Sequence, residues 1–189
     1  KLRSQTRQEL VRLQRRLGIT TIFVTHDQEE ALTTCQRIAV MDQGIIQQVG
    51  TPMALFDFPV NRFVAQFVGS VNLYSGDIVR EGDAPRFKSD TLGDIVLPRG
   101  LDLPAQAADL AFRPHSVSFE QHSPGTEGLQ LTGTVEDAEF LGEFLRYEIR
   151  VAKATIKADI PHARGTAPLA TGSTVQLTVP SSELRFVNR

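Results

Sequence analysis

The pattern of apolar and polar residues changes near residue 70 and divides the chain into two parts. In the first part, leucines recur at helical spacing over residues 1–17, which predicts an amphipathic helix. Gly18 is expected to end this helix, because glycine readily adopts the left-handed conformation found after a helix C terminus. After residue 70 the apolar residues alternate with polar ones, which is the period of half-buried strands. Gly69-Ser70 is the predicted hinge between the two parts.

The apolar run Ile22-Phe23-Val24 leads into the most informative stretch of the first part. A short continuous run of β-forming residues predicts a strand over residues 19–25 that is covered on both faces. Asp27 is a good N-cap and Glu30 stands three residues later, as in a capping box, so a helix is expected over residues 27–35. The intervening histidine therefore follows a strand and precedes a helix, where open α/β sheets bind ligands and anions are favoured.

A hairpin and two short helices are predicted to complete the first part. The hairpin strands cover residues 37–41 and 45–49. Their connection is expected to be slightly longer than a two-residue turn, because a glutamine separates the aspartate from the glycine in Asp42-Gln43-Gly44. Thr51-Pro52 supplies an N-cap and a proline at the first helical position, and Asn61 caps the last short helix.

The second part is predicted to contain only β-structure. Alternation of apolar and polar residues is clearest over residues 145–151, 154–160 and 174–179. Shorter candidate strands cover residues 76–80, 109–113, 116–120 and 131–138. Glycine and proline separate these segments, as at Ser123-Pro124-Gly125. Many short strands with this punctuation predict a small antiparallel barrel.

Composition and charge exclude several classes of protein. The 189-residue chain is 41% hydrophobic and 22% charged, as in ordinary globular domains. Its net charge of -2 gives no excess of positive charge that would indicate binding to nucleic acid or to a membrane surface. We recognise neither a membrane-spanning apolar run nor a signal peptide. The one cysteine, Cys35, is expected to be a small buried packing residue in a reducing compartment. Because the first residue is Lys1 rather than methionine, we expect a fragment or a trimmed chain.

A segment around His26 resembles the switch-histidine segment of ATP-binding cassette (ABC) ATPases, the motor subunits of ABC transporters; it reads Thr25-His26-Asp27-Gln28-Glu29-Glu30-Ala31. Residues 37–52 resemble the strand, turn and strand that follow this histidine in the family, and Phe67-Val68-Gly69 also matches. The resemblance implies that residues 1–70 are the C-terminal part of a P-loop ABC cassette. It also implies that His26 contacts the γ-phosphate in the complete protein, whose cofactors are ATP and Mg2+.

The second part resembles the OB-like accessory domain of importer ATPases, often called the TOBE domain. The matching pieces are Phe112-Arg113-Pro114-His115, Glu139-Phe140-Leu141-Gly142, residues 172–180 and Leu184-Arg185-Phe186. The implied fold class is an α/β cassette fragment over residues 1–70 followed by an all-β, OB-like small barrel over residues 71–189. The resemblance further implies a homodimer of ATPase subunits that docks on membrane permease subunits at the cytoplasmic face of the cell membrane. The accessory domain would support dimerisation and sense a small solute or regulator, in an importer of the iron, polyamine or phosphonate branch.

The catalytic parts of an ABC ATPase other than His26 are missing from this sequence. It contains no G-x-x-x-x-G-K-[ST] phosphate loop, no apolar strand that ends in Asp-Glu and no Leu-Ser-Gly-Gly-Gln signature. Phosphoryl transfer needs the phosphate loop, the metal and a water-orienting residue together, so a lone imidazole cannot replace them. We therefore expect a part of the subunit that lies downstream of its catalytic carboxylate and has no ATPase activity alone. Steady MgATP turnover by the purified chain would contradict this expectation.

The same absence has a structural consequence. The strand of residues 20–25 should lie in a parallel sheet whose neighbouring strands this sequence lacks, and an uncovered apolar strand edge promotes association. We therefore expect oligomerisation or strand exchange through residues 1–70. A monodisperse monomer at micromolar concentration would contradict it.

Other candidate residues have simpler explanations. Glu29 and Glu30 point in different directions from adjacent helix positions, so we expect a capping glutamate and a solvated neighbour rather than an acid/base pair. The second part lacks the close ligand spacing and cysteine companions of a metal site; its histidines are His115, His122 and His162. Nucleic-acid binding by the barrel is not expected, because its phenylalanines are scattered rather than arranged along a basic groove.

Two alternatives from other functional classes stay open. The chain could be a non-enzymatic regulatory module that binds a small solute, or a structural dimerisation domain. The missing phosphate loop favours either over an autonomous enzyme. Binding of a small solute to the barrel or to the barrel interface would distinguish the two.

Overall fold

The structure is a computed structural model that describes residues 2–80, 84–104, 108–119 and 128–188. The chain divides into two compact units, Lys1–Gly69 and Ser70–Arg189. The division falls within the Gly69-Ser70 dipeptide, at the point where the hydrophobic pattern changes period.

The described residues of the first unit form four helices and one hairpin. In chain order these are α1 (Leu2–Leu17), α2 (Gln28–Thr34), β1 (Ile38–Asp42), β2 (Ile45–Gly50), α3 (Pro52–Asp57) and α4 (Arg62–Phe67). The predicted caps are confirmed, because Asp27, Thr51 and Asn61 each accept a hydrogen bond from the backbone N–H three residues later, at 3.2, 3.2 and 3.0 Å. Gly18 follows α1 with a φ of +65°, as expected for a residue that ends a helix.

The predicted strand over residues 19–25 is wrong for this structure. No described residue pairs with this segment in a sheet, and the side chains of Ile22 and Val24 are 89% and 91% exposed. A buried parallel strand requires ladder partners on its sides and covering elements on its faces, which the described residues of this unit do not supply. Their sheet is the β1–β2 hairpin, and their core consists of Val40, Leu55, Val64 and Val68.

The turn between β1 and β2 is shorter than predicted. Asp42 pairs with Ile45, so the loop has two residues, and Gln43 and Gly44 have φ values of +47° and +81°. Positive φ at both positions is typical of a type I′ turn, whose twist matches that of a hairpin. The irregularity lies in the ladder instead, where the register shifts after Val40.

The described residues of the second unit form nine strands in two antiparallel sheets. The strands are β3 (Asn72–Val79), β4 (Arg86–Ser89), β5 (Gly93–Val96), β6 (Ala108–Phe112), β7 (Gly128–Phe140), β8 (Phe144–Val151), β9 (Ala154–Pro161), β10 (Thr174–Pro180) and β11 (Arg185–Val187). Their orders are β10-β7-β8-β9 and β11-β6-β3-β4-β5. One hydrophobic core contains residues of both sheets, and the predicted alternation is confirmed in β8, where Leu145, Tyr147, Ile149 and Val151 are buried.

Several short elements of the second unit differ from the prediction. Residues 116–119 do not form the expected strand; a 3-10 helix covers Pro114–Ser116, and Ser118 makes a single bridge to Thr178. Residue 120 and the predicted turn at Ser123-Pro124-Gly125 lie outside the described residues. Strands β4, β5 and β11 were not predicted, because three or four residues carry too few alternations to show a period.

Bonds of two kinds join the two sheets of this OB-like fold. On one side, Ser118 and Thr178 exchange two backbone hydrogen bonds of 2.9 Å, which connect the segment after β6 to β10. On the other side, Asn72 of β3 donates through Nδ2 to the Lys157 carbonyl of β9 and accepts from the Lys157 N–H, both at 2.8 Å. Tyr74 Oη also donates to the Thr155 carbonyl at 2.7 Å. An amide side chain offers a donor and an acceptor as a peptide group does, so Asn72 takes the place of a neighbouring strand.

Candidate functional site

The histidine turn, defined here as residues 25–30, is built by local hydrogen bonds. Thr25 Oγ1 accepts from the Asp27 N–H at 3.0 Å and donates to Glu30 Oε2 at 2.8 Å. Asp27 Oδ1 accepts from the Glu30 N–H at 3.2 Å. Short polar side chains that bond the backbone two or three residues on are the usual builders of such turns. These three bonds are local, because each joins residues at most five positions apart.

The expected capping box is only half formed. Asp27 caps helix α2 as predicted, but the Glu30 carboxylate accepts from the Thr25 hydroxyl instead of from the Asp27 N–H. The reason is that Thr25 Oγ1 already accepts from that N–H. Glu29 is exposed, whereas Glu30 is bonded within the turn.

The turn leaves the His26 side chain exposed. A neutral imidazole offers one donor and one acceptor, and a protonated one offers two donors, which suits a phosphate oxygen. Among the described residues, no group of three or more histidine, cysteine or acidic side chains could hold a metal ion. His115 and His162 are exposed in the second unit, and His122 lies outside the described residues.

Sequence reasoning missed polar side chains that bond the backbone close to the Gly69-Ser70 dipeptide, each within its own unit. Gln28, the first residue of α2, accepts from the Gly69 N–H through Oε1 at 3.1 Å. Arg113 donates through Nη1 to the Ser70 carbonyl at 3.0 Å. Both side chains belong to segments that carry the family resemblance. Asn72, which is 3% exposed, was not singled out, and a polar residue next to a predicted hinge was the available signal.

The tip of the β7–β8 hairpin carries one of the pieces that resemble a TOBE domain. Phe140 and Leu141 are 58% and 41% exposed there. Beside the tip, Arg146 of β8 makes two hydrogen bonds of 2.7 Å to the carboxylate of Asp159 on β9. The hydrogen bonding that Arg146 donates to Asp159 is the main cause that raises the pKa of Arg146 above its ordinary value.

The same sheet face is covered by charges of both signs. Arg150 of β8 donates one hydrogen bond of 2.9 Å to Glu136 of β7, and Arg146 makes the bidentate pair with Asp159. Cross-strand pairs of opposite charge stabilise a solvated sheet face by a few tenths of a kcal/mol to about 1 kcal/mol each.

The chain matches known proteins over both units. Residues 110–187 match the TOBE domain family. The sulfate/thiosulfate import ATP-binding protein CysA 2 of Chromobacterium violaceum is 38% identical over 98% of this chain and 50% of its own length. The spermidine/putrescine import ATP-binding protein PotA of Trichormus variabilis is 36% identical over 89% of this chain and 45% of its own length. The sn-glycerol-3-phosphate import ATP-binding protein UgpC of Salmonella choleraesuis is 38% identical over 97% of this chain and 50% of its own length.

A comparison with a solved structure and a search for membrane-spanning helices give two further observations. The cytoplasmic molybdate-binding protein ModG, solved with molybdate bound, overlaps 62% of this chain and 96% of its own chain with a TM-score of 0.48 and 15% identity. No helix among the described residues is long and apolar enough to cross a membrane.

The chain thus carries a TOBE domain over residues 110–187. Over nearly its whole length it is related to the ATP-binding subunits of ABC importers, and it corresponds to a C-terminal part of such a subunit. The family resemblance inferred from the segment around His26 is therefore confirmed. The chain spans about half the length of the curated relatives that it matches.

Proposed function

We propose that the chain works as the C-terminal part of the ATP-hydrolysing subunit of an ABC importer. Residues 1–70 would complete its cassette, and residues 71–189 would form its accessory domain. The observation that carries this proposal is the similarity of 98% of the chain, across both units, to an import ATP-binding protein. The exposed His26 at the end of an ordered polar turn supports the same assignment.

In the complete subunit, His26 contacts the γ-phosphate of ATP. The hydrogen bonds of Thr25 and Asp27 fix the backbone on both sides of this histidine, so the imidazole is directed outward before nucleotide arrives. MgATP supplies the phosphoryl group, and this chain supplies one hydrogen-bonding group toward it. The sequence has no phosphate loop, so its residues can contribute part of an ATP site but not a complete one. ATP and Mg2+ are therefore cofactors of the complete protein.

The apolar surface of residues 19–25 supports completion of the cassette by further chain. Ile22, Val24 and Ile19 are 89%, 91% and 52% exposed, and buried apolar surface contributes about 25 cal/mol per Å². We propose that this segment becomes the predicted strand when the rest of a cassette packs on it. For the chain by itself, association through residues 1–70 remains our prediction.

The partners follow from the same proposal. The subunit forms a homodimer and docks on membrane permease subunits at the cytoplasmic face of the membrane. A small solute or regulator binds the barrel. The relatives are named for sulfate/thiosulfate, spermidine/putrescine and glycerol-3-phosphate import, so they do not select one cargo, and polyamine is the one solute of the predicted branch among these names.

A thermal-unfolding series tests the solute-sensing role. The chain is heated with MgATP, ferric ion, polyamines, phosphonate, phosphate, sulfate or glycerol-3-phosphate. A ligand at 100 times its dissociation constant adds about 2.7 kcal/mol, which raises Tm by several degrees for a domain of this size. A shift with one solute and none with MgATP supports sensing at the barrel. No shift with any solute contradicts it and favours dimerisation as the role of the barrel.

A chimera tests the assignment of His26. The 189 residues replace the corresponding C-terminal part of the Chromobacterium violaceum relative, and ATPase activity is measured. We expect turnover by the chimera, none by the 189-residue chain alone, and a fall in kcat of about 100-fold or more for His26→Ala, as for other lost transition-state contacts. His162→Ala is the matched control, since His162 is an exposed histidine of the second unit. Full activity of the His26→Ala chimera would contradict the role. A chimera that binds ATP but has no turnover would contradict the cassette assignment.

A further inference from the structure

We propose that Glu30 is a positioning residue for His26 and acts on it through the hydroxyl group of Thr25. This inference rests on the proposed function for the phosphate that His26 contacts. The bonds that carry it lie within the first unit and need no nucleotide. Glu30 holds the turn on which the imidazole is mounted, and it does not touch the phosphate itself.

Three hydrogen bonds link Thr25, Asp27 and Glu30 in a closed ring. The Thr25 hydroxyl donates to Glu30 Oε2 at 2.8 Å and accepts from the Asp27 N–H at 3.0 Å. Asp27 Oδ1 accepts in turn from the Glu30 N–H at 3.2 Å. The three ring residues are half-buried, whereas His26, which lies between two of them in the sequence, is exposed. The ring therefore holds the chain on both sides of His26 and leaves its imidazole accessible.

The Glu30 carboxylate orients the hydroxyl that holds the Asp27 N–H. A threonine hydroxyl has one hydrogen and two lone pairs, and it rotates to suit its neighbours. When its hydrogen points to Glu30, a lone pair remains for the Asp27 N–H. A hydrogen bond to an ionised carboxylate is roughly twice as strong as one between neutral groups, and a hydroxyl that donates such a bond is polarised into a better acceptor. Loss of the carboxylate therefore also weakens the bond that Thr25 makes to the backbone after His26.

Support of helix α2 is the competing explanation for Glu30, and the bonds separate the two roles. The helix is capped by the Asp27 side chain, which accepts from the backbone N–H of Glu30. Glu30→Ala keeps this N–H and therefore keeps the cap. The bond that it removes belongs to Thr25, the residue before His26. A role in the helix alone would leave the backbone of His26 unchanged, whereas a positioning role would not.

NMR of the full 189-residue chain without nucleotide tests the contact. In Glu30→Ala, the Asp27 amide should exchange about five- to tenfold faster because its bond to Thr25 is weakened, and the HN–Hα coupling of His26 should move toward the average of an unstructured chain. Glu30→Gln retains an acceptor oxygen and should stay close to the native chain. Glu29→Ala is the matched control, because Glu29 is the exposed neighbour in the same first turn of α2. No change at Asp27, or a change there that leaves His26 native, would overturn the proposal.

The chimera with the Chromobacterium violaceum relative tests the effect on turnover. Glu30→Ala should lower kcat about tenfold, since a small displacement of a positioned group is costly in the transition state. It should leave KM for MgATP within about twofold, as expected for the loss of an interaction specific to the transition state. Thr25→Val removes the hydroxyl and should have the same effect. Thr25→Ser keeps the hydroxyl and should restore turnover; a serine variant as slow as the valine variant would contradict the role of the hydroxyl.

A double substitution shows whether Glu30 acts through His26. In the His26→Ala chimera, Glu30→Ala should lower kcat by less than about twofold, because the imidazole that it positions is already absent. An equal loss in both backgrounds would overturn the positioning role and leave a structural one. Full activity of the His26→Ala chimera would contradict the proposed function instead, and the NMR measurement, which uses no nucleotide, would then decide alone whether Glu30 holds the turn.

Discussion

Replacement of Asn72 by alanine is predicted to open one side of the barrel. In the native chain, the Asn72 side chain is 3% exposed and makes both hydrogen bonds to Lys157 at 2.8 Å. No backbone ladder joins β3 to β9 in the described residues, so these bonds, with that of Tyr74 to Thr155, hold the two strands together. Asn72→Ala removes the donor and the acceptor at once.

The expected loss of stability follows from the count of bonds. Each protein hydrogen bond contributes about 0.5–1.5 kcal/mol net, and a backbone group left without its partner costs more when water cannot reach it. Two bonds therefore correspond to about 1–3 kcal/mol of unfolding free energy. At about 3 °C per kcal/mol for a domain of this size, Tm of the second unit should fall by roughly 3–9 °C.

Tyrosine fluorescence during urea unfolding measures this loss in the second unit alone. The chain has no tryptophan, and its two tyrosines, Tyr74 and Tyr147, both lie in that unit. Asn188→Ala is the matched control, because Asn188 is an exposed asparagine of the same unit. Asn72→Asp should destabilise at least as much as alanine, since it sets a carboxylate oxygen against the Lys157 carbonyl. A loss below about 0.5 kcal/mol for Asn72→Ala would refute the idea that these bonds close the barrel.

Two further substitutions test the packing and the ionisation of the same region. Gly76→Ala would place a Cβ 2.5 Å from the Phe87 ring and 2.6 Å from the Lys88 carbonyl. Overpacking should therefore lower the unfolding free energy by about 1–3 kcal/mol or more in the same urea assay. Unchanged stability would contradict this and show that the strands separate easily. Burial raises the pKa of Tyr74 above its ordinary value of 10, so the unfolded chain loses this proton first as pH rises. The contribution of Tyr74 to stability should therefore be constant below about pH 10 and fall above it. Tyr74→Phe should cost about 1 kcal/mol at pH 7 through its lost bond and give a flatter curve above pH 10; parallel curves from pH 7 to 11 would contradict this assignment.

The parts of the fold that were predicted from the sequence depend on chemistry within a few residues. The caps of α2, α3 and α4 come from Asp27, Thr51 and Asn61, each of which bonds a backbone N–H only three positions away. The long strands β8 and β9 show their period because each carries eight residues. A local pattern of this kind is visible in a single sequence.

The parts that were missed depend on contacts between distant residues. The bonds of Gln28 to Gly69, Arg113 to Ser70 and Asn72 to Lys157 join residues 41, 43 and 85 positions apart. A bond from one side chain to a remote backbone group leaves no period in the sequence. The polar character of Asn72 beside the predicted hinge is visible, but its partner is not.

The segment around His26 contains an example of each kind: a predicted strand that depends on distant residues, and a turn that is built by local bonds. Ile22 and Val24 were predicted to lie in a buried strand and are exposed, because a strand needs neighbours that the described residues of the first unit do not contain. The turn that follows is nevertheless formed, because the bonds of Thr25 and Asp27 are local. The bonds that Thr25 and Asp27 make in the histidine turn are therefore local, whereas the position of the turn against a nucleotide has to come from the rest of a cassette. If residues 19–25 paired in the sheet of a complete cassette, that pairing would position the histidine turn, which is already formed.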